Sequence, residues 1–307
     1  MYIAGKSGLV GSALETEGKS RGFEVLGKTS KQLDLTNREA VFQEMHDLRP
    51  DCLVIAAAKV GGIKFNSLFP VDFLSVNLQI QTNLMDAAHS AKVSKLLFLG
   101  SSCIYPKFAP QPISESALLT GALEPSNEAY AIAKIAGLKL IQSYRKQFGH
   151  KWISAMPTNL YGPHDNFDLE TSHVIPSLIH RLHDAKIKNS KSLTIWGDGT
   201  PMREFLHVSD LAHACMMLIE EYDSEVPINV GSGYEVSIGE LARLVAQVVG
   251  FNGKLDFDTD KLNGTPRKFL NSDMIFDMGW SPKVDLKEGL KSTYDWFIQN
   301  TKGVVRT

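Results

Sequence analysis

The chain has 307 residues, of which 43% are hydrophobic and 21% charged, with a formal net charge of −2. That length can bury one large core or two smaller ones, and the near-neutral balance excludes a general electrostatic pull toward nucleic acid or a membrane surface. No apolar run approaches the roughly 20 residues of a membrane helix, and Cys52, Cys103 and Cys215 follow no disulfide spacing, so reduced thiols and a cytoplasmic setting are expected.

The first residues, YIA, make a short strand that runs straight into GKSGLVG, with glycines at 5, 8 and 11. No signal-peptide pattern opens the chain, and so short a first strand points to a slightly truncated start. G-x-x-G-x-x-G between strand and helix is a variant of the dinucleotide fingerprint. The first glycine permits the tight turn, the second admits pyrophosphate to the backbone, and the third packs helix on sheet. The helix then offers free N–H groups and partial positive charge to phosphates. Gly5, Lys6, Ser7, Gly8, Leu9, Val10 and Gly11 are thus candidate cofactor contacts, although the pattern alone also fits an ordinary strand–turn–helix. A second strand, FEVLG, leads to Lys28, Ser30 and Lys31, and the first acid, Asp34, comes only later. Basic residues here favour a 2′-phosphate and hence NADP(H); as plain solvated lysines they would mean nothing.

DCLVIAAA, KLLFLGSS and WISAMPTNL read as further buried strands, and Leu9–Gly18, Arg38–Leu48, Val76–His89 and Glu128–Phe148 as helices between strands. This alternation predicts an α/β fold, a Rossmann-type doubly wound parallel sheet covered by helices on both faces. Past Tyr161 the pattern loosens: YGPHDNFDLETSH is loop-like, VIPSLIHRLHDA helical, and LTIWGDGTPMREFLHV mixes strands with a glycine-rich turn. The expected division is a cofactor domain over 1–160 and a smaller α/β substrate domain over 161–307, with about 204–232 returning to the first. The tail TKGVVRT should fray.

Two motifs carry the chemistry. YAIAK sets Tyr130 and Lys134 on one helix face, where an ammonium favours the phenolate and makes the phenol a better proton donor. FLGSSCIYP ends a strand in Ser101, Ser102 and Cys103, 29 residues before that tyrosine. Y-x-x-x-K is common by chance, but a glycine loop, a strand-end serine and Y-x-x-x-K in this order are hard to explain otherwise. Cys52 and Cys215 sit in apolar patterns as core thiols. His180 and His183 are three apart, yet no ligand cluster completes a metal site, so none is expected.

With AAAKVGGI, LGSSCIYP, EAYAIAKIAGLKL, MPTNLYGPHDNF, SHVIP, GTPMREFLHV, INVGSG and GTPRK in order along nearly the whole chain, the sequence resembles the extended short-chain dehydrogenases/reductases, and within them the epimerase–reductases of nucleotide sugars. The resemblance implies a GDP-linked 4-keto-6-deoxyhexose substrate, epimerised at C3 and C5 and then reduced at C4 by NADPH. It implies Ser101, Tyr130 and Lys134 as the reductase set, with Cys103 and His173 as the proton-transfer pair. It further implies cofactor contacts from Lys28, Ser30, Asp34, Leu35, Ala57, Ala58, Leu99, Gly100, Ser102, Lys134, His173 and the segment Pro157, Thr158, Asn159 and Leu160. Arg181, Trp196, Arg203 and Lys268, with Asn159, are implied for the GDP-sugar; spacing alone leaves each as an ordinary surface residue. Ser7 and Ser30 stand where such proteins often have arginine, which loosens the NADP(H) preference. The two long helices imply a homodimer through a four-helix bundle, unless they are simply buried. A 4-epimerase or plain 4-ketoreductase of the same fold is the alternative enzyme, and a non-catalytic dinucleotide sensor the alternative of another class.

Overall fold

The computed structural model describes residues 1–261 and 264–300; the tail TKGVVRT lies outside the described residues. In chain order the first half comprises β1 (Tyr2–Ala4), α1 (Leu9–Ser20), α2 (Arg38–Leu48), β2 (Cys52–Ile55), α3 (Ile63–Leu68), α4 (Pro70–Ser90), β3 (Lys95–Leu99), α5 (Glu128–Phe148) and β4 (Ile153–Pro157). The second half continues with β5 (Asn159–Tyr161), α6 (Val174–Ile187), β6 (Ser192–Trp196), β7 (Met202–His207), α7 (Val208–Glu221) and β8 (Ile228–Val230). It closes with β9 (Glu235–Ser237), α8 (Ile238–Val249), β10 (Lys254–Asp258), β11 (Arg267–Lys268), α9 (Asp273–Asp277) and α10 (Leu286–Asn300).

The central sheet runs β1-β2-β3-β4-β8, and every pair is parallel. Its strands are apolar on both faces because both faces are covered. Along β2, Leu53 and Ile55 enter one core with Met45, Leu84 and Trp152, beneath α2, α4 and α5. Cys52 and Val54 enter the opposite core with Leu14, Leu211 and Cys215, beneath α1 and α7. Both core thiols are buried. Full burial of such side chains contributes about 1.5–3 kcal/mol each.

Two expectations shift in detail. Of FEVLG only Leu26 pairs, as one parallel bridge to Tyr2, held by Ile3 N–H to Leu26 O and Leu26 N–H to Met1 O, both 2.9 Å. β1 is only three residues long, and Gly27 follows at φ +154, so the ladder has room for one pair. α4 begins at Pro70 rather than Val76, since proline suits a helix's first turn, where no N–H bond is lost.

After β4 the chain leaves the sheet and builds a second assembly. β11-β7-β5 are parallel, with β9 antiparallel to β7, and β10 pairs with β6. α6, α8 and α10 close a separate core around Leu178, Leu241 and Phe297. The segment between β7 and β8 returns: α7 packs on α1, and β8 extends the central sheet beside β4. Among the described residues no helix is long and apolar enough to cross a membrane.

Candidate active site

The carboxyl ends of β1, β2, β3 and β4 open on one side of the sheet, and the glycine loop, Ala57, Ser101 and Thr158 follow directly from them. Gly5 sits at φ +88, and a Cβ there would lie 2.7 Å from the Ala57 nitrogen. A Cβ on Gly11 would lie 2.1 Å from the Gly5 carbonyl oxygen, so the helix can approach the strand only without one. Gly8 differs: its nearest neighbour would be Gly5 O at 3.5 Å, leaving its other side open. The N–H groups of Leu9, Val10 and Gly11 precede the first bond of α1, Ser12 N–H to Gly8 O at 2.9 Å. This open cradle at a helix N-terminus fits the diphosphate of a dinucleotide.

The lysines near the cradle are engaged. Lys6 pairs with Glu15 at 3.2 Å and Lys28 with the buried Glu44 at 2.5 Å, whereas Ser30 and Lys31 are exposed. The exposed Asp34 carboxylate turns back onto Thr36, whose bonds hold its pKa low. Asn83 Nδ2 fixes the Leu35 carbonyl at 3.1 Å. At the end of β3, a Cβ on Gly100 would lie 2.3 Å from Met156 Sδ and force that side chain to shift, and Ser102 is buried. The Thr158–Asn159 segment is tied by Thr158 N–H to Val230 O at 3.0 Å and by Asn159 Nδ2 to Glu204 O at 2.8 Å.

Ser101 leaves β3 in extended backbone, and its Oγ accepts the Cys103 N–H at 3.2 Å. Tyr130 and Lys134 come from α5, which Gly149 stops in a left-handed cap. Lys134 is 4% exposed, and its Nζ donates to the Leu99 carbonyl at 2.8 Å. It sits 5.8 Å from the centre of the Tyr130 ring. Burial lowers its pKa to about 8. Burial also raises the Tyr130 phenol well above its usual value, helped by the Cys103 charge and opposed by a bond with Ser101. The expected lowering of Tyr130 by Lys134 is outweighed here by burial, and the ammonium is bonded to the Leu99 carbonyl.

The thiol behaves in the opposite way. Burial would raise Cys103, but the Lys268 charge and bonds from Ser101, Lys268 and Asn127 bring it below the ordinary thiol value. Lys268 Nζ and Asn127 Nδ2 each donate to Cys103 Sγ at 3.2 Å. His173, an exposed residue, stands at the N-terminal boundary of α6, and its pKa is lowered by the protein around the ring and by the Lys268 charge. One ammonium therefore acts on both expected proton-transfer groups. Arg203, on β7, donates to the Met202 carbonyl at 2.7 Å; burial lowers its pKa, opposed by the charges of Cys103 and Glu124.

Arg181 and Trp196 sit at the α6–β6 junction. Arg181 donates to the Thr194 carbonyl, and Trp196, two residues on, is 64% exposed. The paired histidines serve the second core: His180 Nδ1 meets Phe167 O at 2.7 Å and His183 Nδ1 meets the Tyr294 hydroxyl at 2.9 Å. Asn127 escapes the sequence reading. In PSNEAY it has the look of a helix cap, and nothing in that spacing signals a sulfur contact.

Residues 1–231 match the model of the NAD dependent epimerase/dehydratase family. The chain is 54% identical over 301 residues to GDP-L-fucose synthase 1 of Arabidopsis thaliana, covering 98% of this chain and 93% of that protein. It is 49% identical over 310 residues to the GDP-L-fucose synthase of Escherichia coli strain K12, covering 98% and 97%. Among solved structures, a GDP-L-fucose synthetase from Naegleria fowleri bound to NADP superposes with a TM-score of 0.91 at 31% identity, covering 98% of this chain and 93% of that one. Glycine cradle, strand-end serine, tyrosine–lysine helix and these full-length matches agree, and the chain belongs to the NAD dependent epimerase/dehydratase family.

Proposed function

We infer that this chain converts GDP-4-dehydro-6-deoxy-D-mannose to GDP-L-fucose, inverting C3 and C5 and then reducing the C4 ketone with NADPH. The observation that carries this reading is Lys268, whose ammonium lies against the Cys103 sulfur and acts on His173. A plain ketoreductase uses serine, tyrosine and lysine and has no use for a second pair of proton carriers. The chain's likeness to proteins named GDP-L-fucose synthase supports the same reading.

The C4 carbonyl acidifies the protons on C3 and C5, and each inversion removes a proton from one face and returns one to the other. Cys103 and His173 exchange those protons. Ser101 hydrogen-bonds the C4 oxygen in both stages, steadying the enolate and then the alkoxide. The bound nicotinamide supplies the hydride. Tyr130 holds the proton for the C4 oxygen, and Lys134 contacts the nicotinamide ribose. Gly5, Lys6, Ser7, Gly8, Leu9, Val10 and Gly11 would hold the diphosphate of the cofactor, and Lys28, Ser30, Asp34 and Leu35 its adenosine end. Ala57, Ala58, Leu99, Gly100, Ser102, the 157–160 segment and His173 line the remainder. Preference for NADP(H) over NAD(H) rests on Lys28, Ser30 and Lys31; a solved relative bound to NADP supports it. Arg181, Arg203 and Lys268 take the GDP-sugar diphosphate, Trp196 walls the guanine side, and Asn159 meets the sugar.

We take residues 1–160 as the cofactor domain and 161–307 as mainly the substrate domain, with about 204–232 returning to the first. A homodimer through α4 and α5 completes the reading, supported by apolar side chains exposed at Val71, Ile132 and Phe148; sedimentation velocity tests it. The cytoplasm is the proposed location, in keeping with three free cysteines.

The deciding experiment incubates the 4-keto sugar nucleotide with NADPH and protein in deuterated water. Solvent deuterium at C3 and C5 of the product, with NADPH consumed, is expected. Reduction without deuterium would make the chain a plain 4-ketoreductase, and neither change would sink the enzyme reading.

A further inference from the structure

Asn127 occupies the N-terminal boundary of α5, yet its side chain makes no capping bond to that helix. Asparagine is favoured there because its oxygen accepts a helix N–H. Here Oδ1 is buried without a hydrogen-bond partner, while Nδ2 points away to Cys103 Sγ at 3.2 Å. The fold thus forgoes both a cap and the satisfaction of a buried carbonyl oxygen. What it gains is a further donor on one sulfur, alongside the Lys268 ammonium at 3.2 Å. A sulfur that receives two N–H donors is acting as an acceptor, and the thiolate is far the better acceptor of the two protonation states.

We propose that Asn127 is a positioning residue which, with the Lys268 ammonium, holds Cys103 as the thiolate. The charged and titratable groups that face the sulfur suit this. Lys268 comes from β11, Arg203 from β7 and Tyr130 from α5, with Lys107, Glu124 and Arg267 around the same pocket. The one carboxylate among them, Glu124, is engaged by Lys107 at 3.0 Å and Thr265 at 3.1 Å. The N-terminus of the 21-residue α5 adds partial positive charge. What the thiolate is used for rests on the functional reading above; its existence does not.

Alkylation of the full-length protein by iodoacetamide, followed across pH by mass spectrometry of the Cys103 peptide, tests this without substrate. Cys52 and Cys215 serve as internal controls, since burial pushes both up to about 12. The wild-type midpoint should fall below that of a free thiol. Asn127→Ala should raise it by about one pH unit, from loss of a hydrogen bond to a charged group. Lys268→Met should raise it further. NADPH binding checks the fold, and Asn127→Asp, of equal size, gives the same upward shift should alanine collapse the loop. At neutral pH, deuterium entry at C3 and C5 should fall about tenfold in Asn127→Ala and recover as pH rises, which a merely structural defect would not do. An ordinary wild-type midpoint, or one unmoved in the folded variants, overturns the assignment. A protein that shows the shifts but fails to turn over the sugar nucleotide overturns the functional reading alone.

Discussion

Cys103 and Tyr130 stand in one cleft, both partly buried, and desolvation drives the acidity of each in the same direction. They end on opposite sides of their ordinary values. The Lys134 ammonium lies 5.8 Å from the Tyr130 ring centre and donates to the Leu99 carbonyl; desolvation wins and Tyr130 stays protonated. The thiol meets Lys268 and Asn127 directly, so partners win over desolvation. Burial thus sets up a proton donor at Tyr130 and a proton acceptor at Cys103 in the same cleft, and the presence of a cation decides which. That division matches a reaction needing a base at carbon and an acid at oxygen.

The comparison can be broken from either side. Removing the phenol gives the largest effect: Tyr130→Phe should cut NADPH consumption by about 10³-fold while deuterium still enters at C3 and C5. Equal loss of both would mean the two corners are not separable. Cys103→Ser should do the converse, slowing deuterium entry about 10²-fold with NADPH affinity intact. A serine variant that exchanges normally would remove the thiol from the mechanism. pH profiles sharpen the same contrast. Deuterium entry, followed with oxidised cofactor, should fall as pH drops through the lowered Cys103 pKa, because the base is then protonated. Reduction should instead decline above about pH 8 as Lys134 loses its charge, while the raised Tyr130 keeps its proton there. Identical profiles for the two readouts would contradict separate control. The smallest effect belongs to the exposed edge: Trp196→Ala should shift stability by no more than about 0.5 kcal/mol. Weaker stacking on the substrate should raise KM about fivefold; an unchanged KM would remove the tryptophan from the site.

Much of this was legible in the residues because it depends on local patterns. Strand period, glycine spacing and the four-residue step from Tyr130 to Lys134 each predict a backbone feature, and β2, β3, α2 and α5 lie where those patterns put them. FEVLG failed as a full strand because pairing needs a partner of equal length, which a single segment cannot show. Lys268 was legible only as a basic residue in GTPRK. Its contact with Cys103 spans 165 residues and arises from β11 joining β7, a long-range pairing no local period encodes. Asn127 was hidden by its own plausibility, since an asparagine before a helix already has an ordinary explanation.

The return of β8 to the central sheet bears on how the chain is made and how it can be cut. A ribosome that has finished β4 has not finished the sheet; the edge of β4 stays bare until residues 228–230 are synthesised, and α1 waits for α7 to cover it. The match to the family model likewise ends at residue 231. An excised piece ending near residue 160 would therefore expose a parallel edge strand and half a core, and should aggregate instead of serving as a miniature dinucleotide binder.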